Sequence, residues 1–286
     1  MSIAPSMRPE VWSSEVAGLR RYDLRSWWFI AVNTLPGTFA DERVRQAVDL
    51  SLDRGELREH TIGVDPRDVD SSCQFISGPF VPSSPFNNRQ VPVRSSRDLG
   101  LAAERLTQAG ASKVAGVWQL KGEPIVARLG MHATLESEAV DLLNQVGNQL
   151  RSAGIDASVS KVSAEDWTTK VIIGRAAEDY DLVLGKWSFG VVEDVGPLFH
   201  TRQGGRGQLN IFNYSDAQVD LLLHRYDSAK TDFEAAGAYH DLHAALATKL
   251  PYIYLWKLDT MSAWRVEVKG VDVAPYFYFT QVDGWK

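Results

Sequence analysis

The 286-residue chain holds a single cysteine, Cys73. That excludes an internal disulfide and any zinc site built from several cysteines, while leaving the compartment open. Long apolar runs are also missing. The longest, Trp27 to Val32, falls far short of the roughly 20 residues a helix needs to cross a bilayer. Met1 to Arg21 contains no apolar stretch of the kind a secretion signal uses. Nor is there an excess of positive charge. Thirty basic against 36 acidic residues give −6, which argues against a general nucleic-acid footprint.

Several chemical motifs are absent as well. Gly204-Gly205-Arg206-Gly207 follows no strand-like segment and opens no helix, so the dinucleotide and phosphate-loop readings fail and a mobile turn is expected. No Gly-x-Ser-x-Gly elbow exists. Cys73 has no neighbouring base in sequence. Nothing combines a nucleophile, a base and an orienting group, so no enzyme is expected. His240 and His243 lie three apart on an expected helix, with His224 one helix earlier. Such spacing suits two imidazoles on a metal, but no third ligand is set by it. Neither a metal nor another cofactor is expected.

What is present is ordinary core-forming material: 44% hydrophobic and 23% charged residues. Trp27 to Val32 reads as a buried strand. Asp41 can cap a helix whose apolar face is Val44, Ala47, Val48 and Leu52. Residues 60–95 carry prolines at 66, 79, 82, 85 and 92, which argues for a long irregular loop. A helix is expected from Ser96, as cap, to Gly110, burying Leu99, Ala102, Ala103 and Leu106. Further along, the pattern predicts a strand over Ile125–Met131, a helix opened by Thr134 and closed by Gly154, and a strand over Ile155–Val162. A Ser163 cap then leads into Trp167–Ile173. Next come a strand at Tyr180–Leu184, helices from about Ser215 and Thr231, and a buried strand at Tyr252–Trp256. Strands alternating with helices predict an α/β domain.

The aromatic residues carry the functional signal. Core packing accounts for most tryptophans. Trp187-Ser188-Phe189-Gly190, however, directly follows an expected strand, and ligands of α/β sheets bind beyond the carboxyl ends of strands.

The order of segments resembles the C-terminal part of the family 5 extracellular solute-binding proteins, the oligopeptide, dipeptide and nickel receptors of ABC importers. Phe29 to Thr34 followed by Pro36 is similar to the family's entry strand. Phe39 to Arg54 resembles its Asp-x-Arg-Val-Arg-x-Ala helix ending in Asp-Arg. Ala102 to Gly110 resembles its Ala-x-x-Leu-Leu-x-x-Ala-Gly helix. Gly154-Ile155, Trp167, Tyr180-Asp181, Lys186-Trp187-Ser188, Asn213-Tyr214-Ser215 and Pro251 to Tyr254 then follow in the family's order.

The resemblance implies a periplasmic-binding-protein-like type II lobe, a mixed sheet flanked by helices, plus remnant strands of the other lobe. It divides the chain into a lead-in and remnant strand (1–37), the second solute-binding lobe (38–254) and a return to the first lobe (255–286). Most of the first lobe is expected to be missing. The implied function is solute binding, of a peptide or related small solute, for the membrane subunits of an ABC transporter. The implied location is periplasmic or extracellular, or cytoplasmic if the chain is the complete product. The alternative is a cytoplasmic ligand-sensing domain of a transcriptional regulator. The implied ligand-binding residues are Trp187, Ser188, Phe189, Gly190, Asp194, Arg175 and Trp167. Arg175 lies on the loop where some peptide binders place a basic residue. Peptide binders of this family place an acid for the peptide's amine where this chain has Gly190, with Glu193 and Asp194 as the nearest acids; Arg202 is a further charged candidate. An uncovered first-lobe face, with Trp12, Trp27, Trp264 and Tyr276–Phe279 as candidates, would favour self-association.

Overall fold

The computed structural model describes residues 7–61, 64, 69–139, 141–273, 276 and 282–286. Eleven strands are found among them: β1 (Ala17–Tyr22), β2 (Ser26–Val32), β3 (Cys73–Phe75), β4 (Ala111–Val114), β5 (Val117–Leu120), β6 (Glu123–Pro124), β7 (Val126–His132), β8 (Asp156–Val162), β9 (Leu182–Ser188), β10 (Tyr252–Leu258) and β11 (Thr260–Arg265). Six form the main sheet in the order β3-β10-β2-β9-β7-β8. β7, β8 and β9 run parallel, while β2, β10 and β3 join antiparallel. The architecture is the expected mixed sheet with helices on both faces.

The middle of that sheet follows from the sequence of β2. All seven of its residues are buried, as a strand covered on both faces requires. Trp28, Ile30 and Val32 join one core with the helices Glu42–Leu50, Leu99–Gln108 and Leu142–Ala153. Trp27, Phe29 and Ala31 point the other way, into a core with the helices Ala217–Asp227 and Asp232–Lys249. The alternation is the period of two of a strand. Trp27 is therefore fully enclosed and is no part of an uncovered face. Trp12 and Trp264 are half-buried, and 277–279 lie outside the described residues.

Helix ends mostly fall where capping chemistry puts them. Asp41, Ser163 and Thr231 each accept a backbone amide of the following turn. Gly110 and Gly154 take the left-handed backbone that ends a helix. Four expectations need correction. The second helix is capped by Asp98, not Ser96: the Asp98 carboxylate accepts the Leu101 amide, while the Asp98 amide donates to the Leu50 carbonyl. Leu99 is exposed, and the buried face is Ala102 and Leu106. Thr134 lies inside a 3₁₀ stretch, Ala133–Ser137, capped by His132, and the long helix begins at Leu142 after Asp141 in left-handed backbone. The proline-rich region is not wholly irregular, since it contains the turn Val69–Ser72 and β3.

The rest of the proline-rich region is packed rather than loose. Phe80 and Val81 are fully buried. The Asn88 amide donates to His243 Nδ1 at 3.1 Å, and Ser77 Oγ lies 3.1 Å from its Nε2. His240 Nε2 lies 3.0 Å from the Pro85 carbonyl. The two histidines considered for a metal thus clamp a loop, and His224 is engaged with Arg206 instead. Among the described residues no cluster of histidine, cysteine and carboxylate groups could hold a metal ion.

Among the described residues, strands β1 and β11 pair only with each other, as a ribbon separate from the main sheet. β2, grouped with the lead-in by the sequence, lies in the main sheet between β9 and β10. Sheet membership therefore does not follow the divisions at 37/38 and 254/255. No described helix is long and apolar enough to cross a membrane.

Candidate functional site

The carboxyl ends of β7, β8 and β9 lie side by side, because the three strands are parallel. Main-chain groups end there, and side chains from the following turns converge. Trp187 is the half-buried next-to-last residue of β9 and stacks on Phe29, with centroids 5.7 Å apart and planes 12° from parallel. Phe29 in turn stacks on Tyr252 at 4.6 Å. Phe189 lies at 6.0 Å and 27° over the buried Trp27, and its amide donates to the Arg25 carbonyl at 2.8 Å. Two half-buried rings thus rest on a fully buried aromatic bed, which fixes their faces without enclosing them.

Beyond Phe189 the chain becomes exposed. Ser188 ends β9 at the surface, opposite Ser26. Gly190 has open space around the position a Cβ would take. Val191 and Val192 are 53% and 67% exposed, an apolar lip beside the aromatic pair. The next residue turns inward. Glu193 is buried and accepts from Ser84 Oγ at 2.5 Å, with Arg25 Nε at 3.5 Å. Burial raises its carboxyl above the usual range, and Ser84 and Arg25 only partly oppose this. Asp194 uses Oδ1 to cap the turn at Gly196, 2.9 Å from that amide.

The structure brings together Trp187, Ser188, Phe189 and Gly190. The others lie apart in role. Trp167 follows β8 and meets His132 edge-on at 5.0 Å. Arg175 is an exposed partner of Glu178, at 2.6 Å. Asp194 lines a separate cavity of about 250 Å³ with His200, Arg206 and Asp227. Arg202 braces carbonyls of Ile172, Gln208 and Asn210. Another cavity of about 320 Å³ lies between Asp49, Arg54, Arg94 and Thr248. Neither cavity is lined by Trp187 or Phe189. Sequence reasoning missed Arg25 and His132. Arg25 has no local signal, because its role depends on Glu193 from far along the chain. His132 directly follows the expected strand Ile125–Met131, and the rule that pointed to Trp187 applies there too.

Comparison with known proteins bears on the family and the fold. The family described as "Bacterial extracellular solute-binding proteins, family 5 Middle" matches residues 3–208. The chain is 22% identical over 271 residues to the oligopeptide-binding protein AppA of Bacillus subtilis, covering 91% of this chain and 46% of that one. The solved AppA structure, in complex with a nonapeptide, superposes with a TM-score of 0.78 at 18% identity, covering 99% of this chain and 55% of AppA. NikZ of Campylobacter jejuni, in complex with Ni(L-His), gives 0.78 at 18% identity, covering 100% and 56%. CtaP of Listeria monocytogenes, an ABC transporter substrate-binding protein, gives 0.80 at 15%, covering 99% and 55%. The chain spans about half the length of the relatives it matches.

Proposed function

Since the chain belongs to the bacterial extracellular solute-binding proteins of family 5, we propose that it forms one wall of a solute cleft. The observation that carries this reading is the pair of half-buried rings, Trp187 and Phe189, at the carboxyl end of β9. Open backbone at Gly190 and the apolar lip Val191-Val192 complete the wall. The solute is a peptide or a related small molecule. The facing wall is a second lobe, approached through the β1–β11 ribbon, and closure of the two would bury the solute. In this reading Trp187 and Phe189 provide faces for apolar or planar groups, while Ser188 and the turn amides provide hydrogen bonds. Arg175 and Asp194, turned to partners of their own, are peripheral, and Trp167 flanks the wall. The protein binds without turnover, on the outer side of the membrane, and hands its solute to the membrane subunits of an ABC importer.

The test is a thermal-shift and NMR titration of the chain with tripeptides, amino acids, sugars and nickel–histidine. A ligand that binds the native state stabilises it by RT ln(1 + [L]/Kd), so weak binding shows at ligand concentrations well above Kd. Peptide-dependent shifts that W187A abolishes are expected. Binding left intact by W187A, or no binding by any class, refutes the reading.

A further inference from the structure

Residue His132 ends β7, at the same edge of the sheet as Trp187. The β7–β9 ladder pairs Gly130 with Val183 and Met131 with Leu184. One step further sets His132 beside Gly185. Both then face the side of the sheet on which Gly130 meets Tyr180 and Val162. That is also the side of Phe29, whose ring covers Gly185, and of Trp187, which stacks on Phe29. Trp167, His132, Phe29 and Trp187 therefore form one row along the carboxyl edge, and His132 is half-buried within it.

The chemistry of the imidazole is set locally. The Thr134 amide donates to His132 Nδ1 at 3.2 Å, and Thr134 Oγ1 lies 2.6 Å from the same nitrogen. A backbone N–H can only donate, so Nδ1 carries its lone pair and the ring proton of the neutral form resides on Nε2. Nε2 makes no hydrogen bond to another described residue. The outcome is an oriented N–H donor at the cleft edge, its ring held by the Thr134 amide on one side and by Trp167 at 83° on the other.

We propose that His132 is a solute-binding residue and that its Nε2–H donates to an oxygen acceptor of the solute, a carboxylate or an amide carbonyl. This rests on the cleft reading above. It adds a side-chain anchor beyond Ser188 and the turn amides, and so selects solutes with an oxygen placed one strand away from the group that stacks on Trp187. A few well-placed polar groups on an apolar wall are what fix a ligand's orientation.

The experiment titrates the whole chain with a tripeptide series, each member as free acid and as C-terminal amide, and compares wild type, H132F, H132Q and W187A. H132F keeps a ring against Trp167 and removes the donor; H132Q keeps an N–H donor. We expect H132F to weaken binding about tenfold, the scale of one hydrogen bond to a charged or polar acceptor, and H132Q to weaken it less. A loss confined to the free acids identifies the carboxylate as acceptor, and a loss in both forms identifies a carbonyl. Ring ¹⁵N shifts of ligand-free protein should show an Nε2–H tautomer. Wild-type affinity in H132F, or a proton on Nδ1, overturns the inference. If H132F binds like wild type while W187A does not, only the role of His132 falls. If both bind like wild type, or wild type binds no peptide, the cleft reading falls with it.

Discussion

Phe29 on β2 lies directly across the ladder from Gly185 on β9, and the missing side chain there makes room for its ring. A Cβ on Gly185 would stand 2.6 Å from Phe29 Cζ. The ring leans over the glycine and meets Trp187, two residues further along β9, in a near-parallel stack. The orientation of the half-buried tryptophan is thus decided by a glycine beneath its neighbour. Replacing Gly185 by alanine should force the Phe29 ring aside in a packed core. The expected cost is about 1–3 kcal/mol in denaturant unfolding, with a change in tryptophan emission as the Trp187 stack is disturbed. Wild-type stability in G185A would show that the ring is free to move.

Much of this arrangement is legible in the residues alone. The unbroken apolar run of β2 announces a strand buried on both faces, and Asp41, Ser163 and Thr231 announce the helix starts they cap. Trp187 and Phe189 are marked by their place at the end of an expected strand, which the structure carries on through Ser188. What escapes depends on distant partners. The β1–β11 ribbon has half-exposed residues without clean alternation, so its pairing has no local mark. Glu193 looks like any acid in a turn, and its partners Ser84 and Arg25, each more than a hundred residues earlier, carry no local mark of it. Arg175 reads as a free cation on a loop until Glu178, three residues on, is seen to hold it.

The buried carboxylate Asp49 binds two arginines of unequal exposure. Arg54 is 3% exposed and pairs with Oδ1, whereas Arg94 reaches Oδ2 at 3.0 Å from a side chain 41% exposed. Removing the shared charge with D49N leaves the Arg54 guanidinium enclosed without a counter-charge, at a cost of about 3–5 kcal/mol. Removing the exposed partner with R94A should cost under about 1 kcal/mol, because water screens that pair. Urea unfolding of both variants checks the ratio. Equal losses would show that Arg94, not burial of Arg54, dominates the cluster.

His243 makes stability depend on pH. Burial, with His240 nearby, lowers its imidazole from the ordinary 6.5 to about 4. Between those values the unfolded chain takes up a proton that the native ring refuses, so stability falls as pH drops through the window. The slope approaches 1.4 kcal/mol per pH unit, about 3 kcal/mol in all. H243Q removes the titrating ring, so wild type should gain on it by about 3 kcal/mol as pH rises through that window. Parallel profiles from pH 4 to 7 would contradict the assignment.

Glu193 pulls the opposite way. Its folded carboxyl is raised above the unfolded one by burial, so the native state holds the proton longer and stability falls as pH rises past the ordinary carboxylate range. Glu193→Gln keeps an acceptor for Ser84 and cannot ionise. It should therefore gain on wild type as pH rises from 4 to 7 in the same unfolding assay. A gain in the reverse direction would mean that Arg25 outweighs burial.

Gly190 offers the sharpest test of what the cleft accepts. It lies at an exposed turn, with nothing within 4 Å of the place a Cβ would occupy, and its backbone is not among the left-handed positions that only glycine tolerates well. An aspartate there should fold normally, with stability within about 0.5 kcal/mol of wild type. It would stand beyond Phe189, near the rim, where the neighbouring carboxylates are already engaged: Glu193 is buried with Ser84 and Asp194 caps Gly196. If the cleft reading is right, G190D gives a bound peptide's ammonium group a partner it otherwise lacks. Peptides with a free amine should then bind roughly tenfold more tightly, the scale of one charge-assisted contact, while their N-acetylated forms are unchanged. Calorimetry with the two forms decides it. An equal gain for both would mean that the new side chain acts by contact rather than charge, and no gain for either would place the amine elsewhere along the wall.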